Sequence, residues 1–322
     1  MKRHKICKII LAILAFFLCV AFYELIGICI TYKKQPAVSD ATIKETQNIM
    51  SVVGRENTER AVIIEKNSQA LLERVRLIQN AKDEIILSTF AFKSDESGKL
   101  ILGALYDAAD RGVHVRILVD GMESWIDMEG NPYFYGLSSH ENVEIKLYNK
   151  ANPLKPWKTM GRMHDKYLIA DGKIYILGGR NTYNYFLGDF PGHKNFDRDV
   201  LVVCDEPQKD NSVNQLLDYF ETIWKQEDCR YFHNSKKLAD RQSVKKAVLE
   251  LQKGYQQYFE VNKEKICDTD YADETFETEK ITLLSNPIHT GAKKPVVWYQ
   301  LGELMKNAKE RVKIHTPYII CN

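Results

Sequence analysis

An α/β sandwich with a largely mixed sheet, preceded by one membrane-spanning helix, is the fold class this 322-residue sequence predicts. Three observations predict it: one long apolar run near the N-terminus, helix and strand patterns that alternate through the middle, and an Asp-Gly turn between two short apolar runs.

Residues 1–8 are basic through Lys2, Arg3, Lys5 and Lys8, and Ile9 to Thr31 follows with Glu24 as its single charge. Residues 9–32 suit a bilayer-spanning helix, which needs about 20 apolar residues. A signal peptide's apolar region is shorter, about 7–15 residues, and ends at a small-residue cleavage site. A buried core helix would be out of place directly behind a basic terminus. Lys33 and Lys34 are the only basic residues just after the span, so the positive-inside rule favours a cytoplasmic N-terminus. The globular part is then expected outside the cytoplasm, held to the cell membrane by a single pass.

Residues 33–66 are polar, with Pro36 near the start and some helix around Ala41 to Met50, and read as a tether. Periodicity then predicts a helix over Ser68–Lys82 capped at Asn67 or Ser68, and a strand over Glu84–Phe90. It continues with a helix over Gly98–Asp110 stopped by Gly112, and strands over Val113–Asp120 and Asn142–Leu147. Gly121–Ser139 is loop-rich and aromatic (Trp125, Tyr133, Phe134, Tyr135), and Lys150–Met163 holds Pro153, Pro156 and Trp157. Aromatics with lysines suit a lipid interface, ordinary loop packing being the alternative. Tyr183–Phe190 either lines a lipid-binding side or starts a core-facing helix. Ser212–Gln226 is amphipathic through Leu216, Leu217, Phe220, Ile223 and Trp224 and faces a core. Ser235–Phe259 is a charged helical region, and residues 269–279 are an acidic linker.

The densest chemistry lies between His164 and Asn181. Tyr167–Ala170 and Lys173–Leu177 flank Asp171-Gly172, a strong hairpin signal. A two-residue turn would pair Ala170 with Lys173, Lys166 with Leu177 and His164 with Gly179. Side chains alternate faces along strands, so His164, Lys166, Gly179 and Asn181 are expected on one surface. Gly179 would leave a gap for a phosphate, Lys166 would supply charge and Asn181 amide donors, while His164 attacks phosphorus or shuttles a proton. Asp171, seven residues from His164, would stand on the order of 20 Å away along a strand and shape the turn.

The pattern H-x-K, four residues, D, six residues, G-G-x-N resembles the HKD signature of the phospholipase D superfamily. Met163-His164-Asp165-Lys166 and Gly178-Gly179-Arg180-Asn181-Thr182 look most like bacterial cardiolipin synthases, and the resemblance runs from about Asn67 to the C-terminus. It implies a phospholipase D-like mixed-sheet sandwich with helices on both faces, spanning residues 67–268. It also implies a metal-independent, cofactor-free transfer in which two HKD motifs meet. One histidine becomes phosphohistidine, the other protonates the leaving alcohol, and an acceptor hydroxyl or water resolves the intermediate. The catalytic set carried over is His164, Lys166, Asp171, Asn181 and a carboxylate that holds the histidine, with Asp199 first choice and Asp197 second. The phosphate-binding set is His164, Lys166, Gly179 and Asn181.

Leu77–Thr89 aligns without a gap with Leu304–Thr316, each a helix end running into a strand, so residues 280–322 read as the start of a second repeat. The 322 residues hold no second H-x-K, and Thr316-Pro317-Tyr318-Ile319 resembles the entry into the rest of a second half. The repeat is therefore expected to be truncated, with the second motif coming from missing C-terminal sequence or a second chain.

Three functions fit. The first is a membrane-anchored phosphatidyltransferase or phospholipase D acting on phosphatidylglycerol or a similar phospholipid. The second is a nuclease of the same superfamily, disfavoured by the apolar span and by a net charge of only +2 with no basic stripe. The third is a non-enzymatic lipid- or partner-binding membrane protein, against which intact His164, Lys166 and Asn181 argue. Cys7, Cys19 and Cys29 belong to the basic terminus and the span it leads into, and Cys204, Cys229, Cys267 and Cys321 show no disulfide or metal-ligand spacing. His114, His140, His193, His233, His289 and His315 read as structural or surface residues, although His193 stands on a loop expected to approach His164.

Overall fold

The computed structural model describes residues 2–51, 59–233 and 235–314. Two helices come first, α1 (Lys2–Tyr32) and α2 (Asp40–Ser51). α1 is a candidate membrane span, apolar around its whole circumference and exposed over most of its length. The globular part follows as β1 (Glu59–Ile64), α3 (Asn67–Asn80), β2 (Glu84–Thr89), α4 (Glu96–Asp110), β3 (His114–Asp120), α5 (Gly121–Met128), α6 (Pro132–Ser138) and β4 (Val143–Tyr148). A 3₁₀ turn (Pro156–Met160) leads to β5 (Tyr167–Ala170), β6 (Ile174–Gly178), β7 (Asp199–Cys204), α7 (Ser212–Trp224), β8 (Cys229–Tyr231), α8 (Gln242–Cys267), β9 (Phe276–Glu277) and α9 (Val296–Asn307).

Among the described residues nine strands form one mixed sheet in the order β8-β4-β3-β2-β5-β6-β7-β1-β9. β2, β3 and β4 run parallel and the other pairings are antiparallel. Alternation sends Leu168, Ala170 and Ile176 into a core shared with α3, α4, α6 and α8. Tyr167, Ile169 and Tyr175 go to the opposite face, where α7 contributes Leu216, Phe220, Ile223 and Trp224. Helices thus cover both faces of a mixed sheet.

Four expectations need correction. The tether ends before Glu59, because Glu59–Ile64 pairs along the whole length of β7 as an integral strand. α3 takes no side-chain cap from Asn67 or Ser68; Lys66 is its N-cap residue, and the buried Asn67 amide instead donates to Asn195 O at 2.9 Å. Gly121–Ser139 is two short helices, α5 and α6, started by Asp120 and Asn131, whose side chains accept from the first backbone N–H groups. The acidic segment is clamped to the domain: the buried Arg76 guanidinium binds Glu274 at 2.8 Å and the Asp268 carbonyl at 2.6 Å, and stacks over Tyr271 at 4.0 Å. A buried cation needs that charge and those acceptors close by.

The helical part of the repeat-like segment lies in α9, while His315, Thr316, Pro317–Ile319 and Cys321 fall outside the described residues.

Candidate active site

Parallel strands β2 and β3 end side by side, so Phe90 and Asp120 emerge at the same edge of the sheet. β5 runs antiparallel to β2 and pairs Tyr167 with Ser88, which brings the start of β5 to that edge. The residues just before it, Arg162 to Lys166, therefore lie beyond the carboxyl ends of the parallel strands, the usual location of ligand sites in open α/β sheets.

His164 is exposed and Lys166 is 6 % exposed. Their side chains converge: Lys166 Nζ lies 3.2 Å from His164 Nδ1 and donates to the His164 carbonyl at 2.7 Å. Phe90 is a shared platform, with its ring centroid 4.5 Å from that of His164, 5.0 Å from the Arg162 guanidinium and 5.5 Å from Lys166 Nζ. Asp120 accepts from Arg162 Nε (2.9 Å) and Nη2 (2.6 Å) and from the Met163 backbone N–H (3.0 Å), fixing the chain directly before His164. Asp165 turns to α7, where the Tyr219 hydroxyl donates to it at 2.8 Å. A cavity of about 410 Å³ opens at the pair, lined by Arg162, His164, Lys166, Tyr219, Ile288 and Lys293 among others.

Burial pulls the Lys166 ammonium down to about 8, against the pull of Asp165 and Asp197. His164 is open at its tip but partly desolvated by the cavity wall, and that desolvation, with the Lys166 and Arg162 charges, holds its imidazole below its ordinary value while Asp120 opposes them. At neutral pH the site therefore presents an uncharged imidazole beside a cation. Lys166 engages Nδ1, which leaves Nε2 as the nitrogen available to a substrate.

The hairpin register differs from the expected one. Asp171 and Gly172 both take positive φ (51° and 62°), but the strands pair Ala170 with Ile174 and Tyr167 with Leu177. Lys173 is an extra residue at the turn because its carbonyl accepts from Cys204 N–H in β7 at 2.9 Å. The shift of one places Gly178 opposite Lys166, with Gly178 N–H donating to Lys166 O at 3.1 Å.

The expected gap beside Gly179 is filled. A Cβ there would lie 2.0 Å from Asp197 Oδ2, and one on Gly178 would lie 2.0 Å from Asp199 Oδ1. The two glycines admit carboxylates rather than a phosphate, which corrects the placing of Gly179 in the phosphate seat. Asp199 is buried in ion pairs with Arg74 (2.9 Å) and Arg180 (3.2 Å), and the field of Asp197 reaches Lys166 after that of Asp165. Asn181 Oδ1 accepts from Ala91 N–H at 3.1 Å, bracing the residue after Phe90. Asp171 accepts from the N–H groups of Lys82, Asp83 and Glu84 at 2.8 to 2.9 Å, so it ties the turn to the start of β2. His193 packs on Tyr185, and Tyr183, Tyr185, Phe186 and Phe190 pack on the core.

Sequence reasoning missed Phe90, Asp120 and Arg162. Asp120 had a signal, an acid closing an apolar strand just before Gly121; Phe90 and Arg162 had none.

A mixed α/β sheet thus brings an imidazole and an ammonium together beyond the ends of its parallel strands. Residues 75–224 match the protein family described as cardiolipin synthase, PLD-like domain. The chain thus contains a phospholipase D-like domain of the phospholipase D superfamily, with similarity to cardiolipin synthases. It is 29% identical to cardiolipin synthase C of Escherichia coli (strain K12) over 175 residues, 50% of this chain and 34% of that one. It is 35% identical to cardiolipin synthase 1 of Staphylococcus aureus (strain MRSA252) over 112 residues, 34% of this chain and 22% of that one. The solved phosphatidylserine synthase of Haemophilus influenzae Rd KW20 superposes with a TM-score of 0.47 at 15% identity, covering 69% of this chain and 48% of that one. The chain spans about a third of the length of the first curated relatives it matches.

Proposed function

We propose that this protein is a membrane-anchored phosphatidyltransferase of the cardiolipin synthase type, with α1 crossing the bilayer and the globular part on the extracytoplasmic side. The observation that carries the reading is the pairing of an exposed, charge-depressed imidazole with the Lys166 ammonium at the mouth of a cavity. His164 Nε2 attacks the phosphorus of a phosphatidyl donor such as phosphatidylglycerol and the bond to the leaving alcohol breaks. A proton donor from a second HKD half, supplied by sequence outside these 322 residues or by another chain, protonates that alcohol. An acceptor hydroxyl then displaces the imidazole and restores it. Lys166 neutralises the phosphoryl oxygens, Asp120 and Phe90 position the imidazole and the Arg162 side chain, and Asn181 positions the loop after β2. Asp199 and Asp171 act through structure, the first by binding Arg74 and Arg180, the second by setting the hairpin.

The test is His164→Ala in the full-length protein, with labelled phosphatidylglycerol as donor and water and glycerol as competing acceptors. Transfer and the acid-labile phosphohistidine adduct should both be lost, by at least about 10³-fold in rate, with an unchanged melting curve because His164 is exposed. Retained transfer refutes the role. Dominant hydrolysis in the unmutated protein identifies a phospholipase instead of a transferase.

A further inference from the structure

α1 is held to the globular part well before its last residue. The Tyr23 hydroxyl donates to Leu154 O at 2.8 Å, and the Tyr23 ring meets Trp157 edge-on at 5.2 Å. Gly27 lies so close to the indole that a Cβ there would be 2.1 Å from Trp157 Cε3. The Tyr32 hydroxyl reaches Trp157 O at 3.2 Å and Thr290 O at 3.0 Å. The apolar sequence of α1 continues to Thr31, so Tyr23 and Gly27 sit inside the apolar stretch, not past its end. At about 1.5 Å of rise per residue, and with a hydrocarbon core of about 30 Å, Tyr23 lies roughly 10 Å below the boundary on the globular side. Whatever packs on Tyr23 is carried to that depth.

The segment that packs there suits lipid. Leu154 is 74 % exposed, Met160 is 68 % exposed, and no residue of the 3₁₀ turn is buried. Next to it, Gly121 abuts the Lys150 backbone, where a Cβ would fall 2.7 Å from Lys150 N, and α5 turns Met122, Trp125 and Ile126 outward, the last two 59 % and 73 % exposed. Lys150 and Lys155 flank these apolar tips, as cations do at an anionic headgroup layer.

We infer that residues 150–160 and the outer face of α5 insert into the leaflet beside α1, and that bilayer lipid is what covers this apolar surface. The contact of Leu154 and Trp157 with α1 is continuous with it and sets its depth. The catalytic cavity shares this edge. Arg162 stands on its rim two residues after Met160, and Ile288 and Lys293 line it on either side of Thr290, which Tyr32 contacts. The mouth therefore opens at headgroup level, and the substrate class is a phosphodiester still seated in the bilayer.

The inference rests on α1 crossing a membrane, and the experiment separates the two. The full chain is reconstituted in vesicles of phosphatidylcholine and phosphatidylglycerol whose acyl chains carry bromine near the headgroup end, and tryptophan quenching is read. Trp157→Phe and Trp125→Phe should each lose part of the quenched emission, and Trp298→Phe should leave it intact. Quenching untouched by Trp157→Phe and Trp125→Phe, or lost only with Trp298→Phe, overturns the insertion. Release of the protein into alkaline carbonate overturns the anchoring itself, whereas retention without quenching at Trp157 and Trp125 defeats only the insertion.

Discussion

Lys166 serves two opposed demands. In the proposed mechanism burial gives its charge strength against a phosphoryl group, and the same burial lowers its pKa to about 8, so the charge is lost as pH rises through that value. If the ammonium is the required form, kcat/KM should decline above about pH 8. Lys166→Arg, which stays charged, should keep a flat alkaline limb at a lower plateau. A pH–rate profile with the same alkaline limb in both proteins would remove Lys166 from that role. Asp199 is the converse case, a buried carboxylate between two guanidiniums. Asp199→Asn should cost about 3–5 kcal/mol in a denaturant titration, because Arg74 and Arg180 stay buried with one counter-charge fewer. His164 and Lys166 were legible in the sequence because they lie two residues apart. The meeting of Phe90 with Asp120 was not, since 30 residues divide them and only the pairing of β2 with β3 brings them to one edge.

The β5–β6 hairpin shows how far an element can be read locally. Asp171-Gly172 announces a turn, and the turn is there with both residues at positive φ. The register was not legible, because the Lys173 carbonyl bonds to β7, a strand more than 25 residues later, instead of closing a two-residue loop. Asp171→Ala should destabilise by about 2–3 kcal/mol, since three backbone N–H groups lose their acceptor and a left-handed φ falls on a residue that disfavours it. The protein that remains folded should turn over at the normal rate. A loss of kcat at full stability would instead put Asp171 in the chemistry. β1 escaped notice for a similar reason: six residues beside a polar tether show little pattern until β7 and β9 pair with them.

For the whole molecule, α1 and the sheet make one functional unit if the proposed catalytic edge faces the bilayer. The four basic residues before the span against two after it predict that protease added to intact spheroplasts will remove the globular part. Protection until the membrane is lysed would reverse the orientation.

An apolar run of bilayer length, the alternation of helices and strands, and the spacing of His164 and Lys166 are properties of neighbouring residues, and the sequence by itself determined them. Which carboxylate faces which cation, what fills the space beside Gly178 and Gly179, and where Trp157 meets α1 depend on contacts between distant segments. Only the tertiary structure decided those, because hydrogen-bond partners and buried charges are apportioned by the assembled sheet and not by any one stretch of chain.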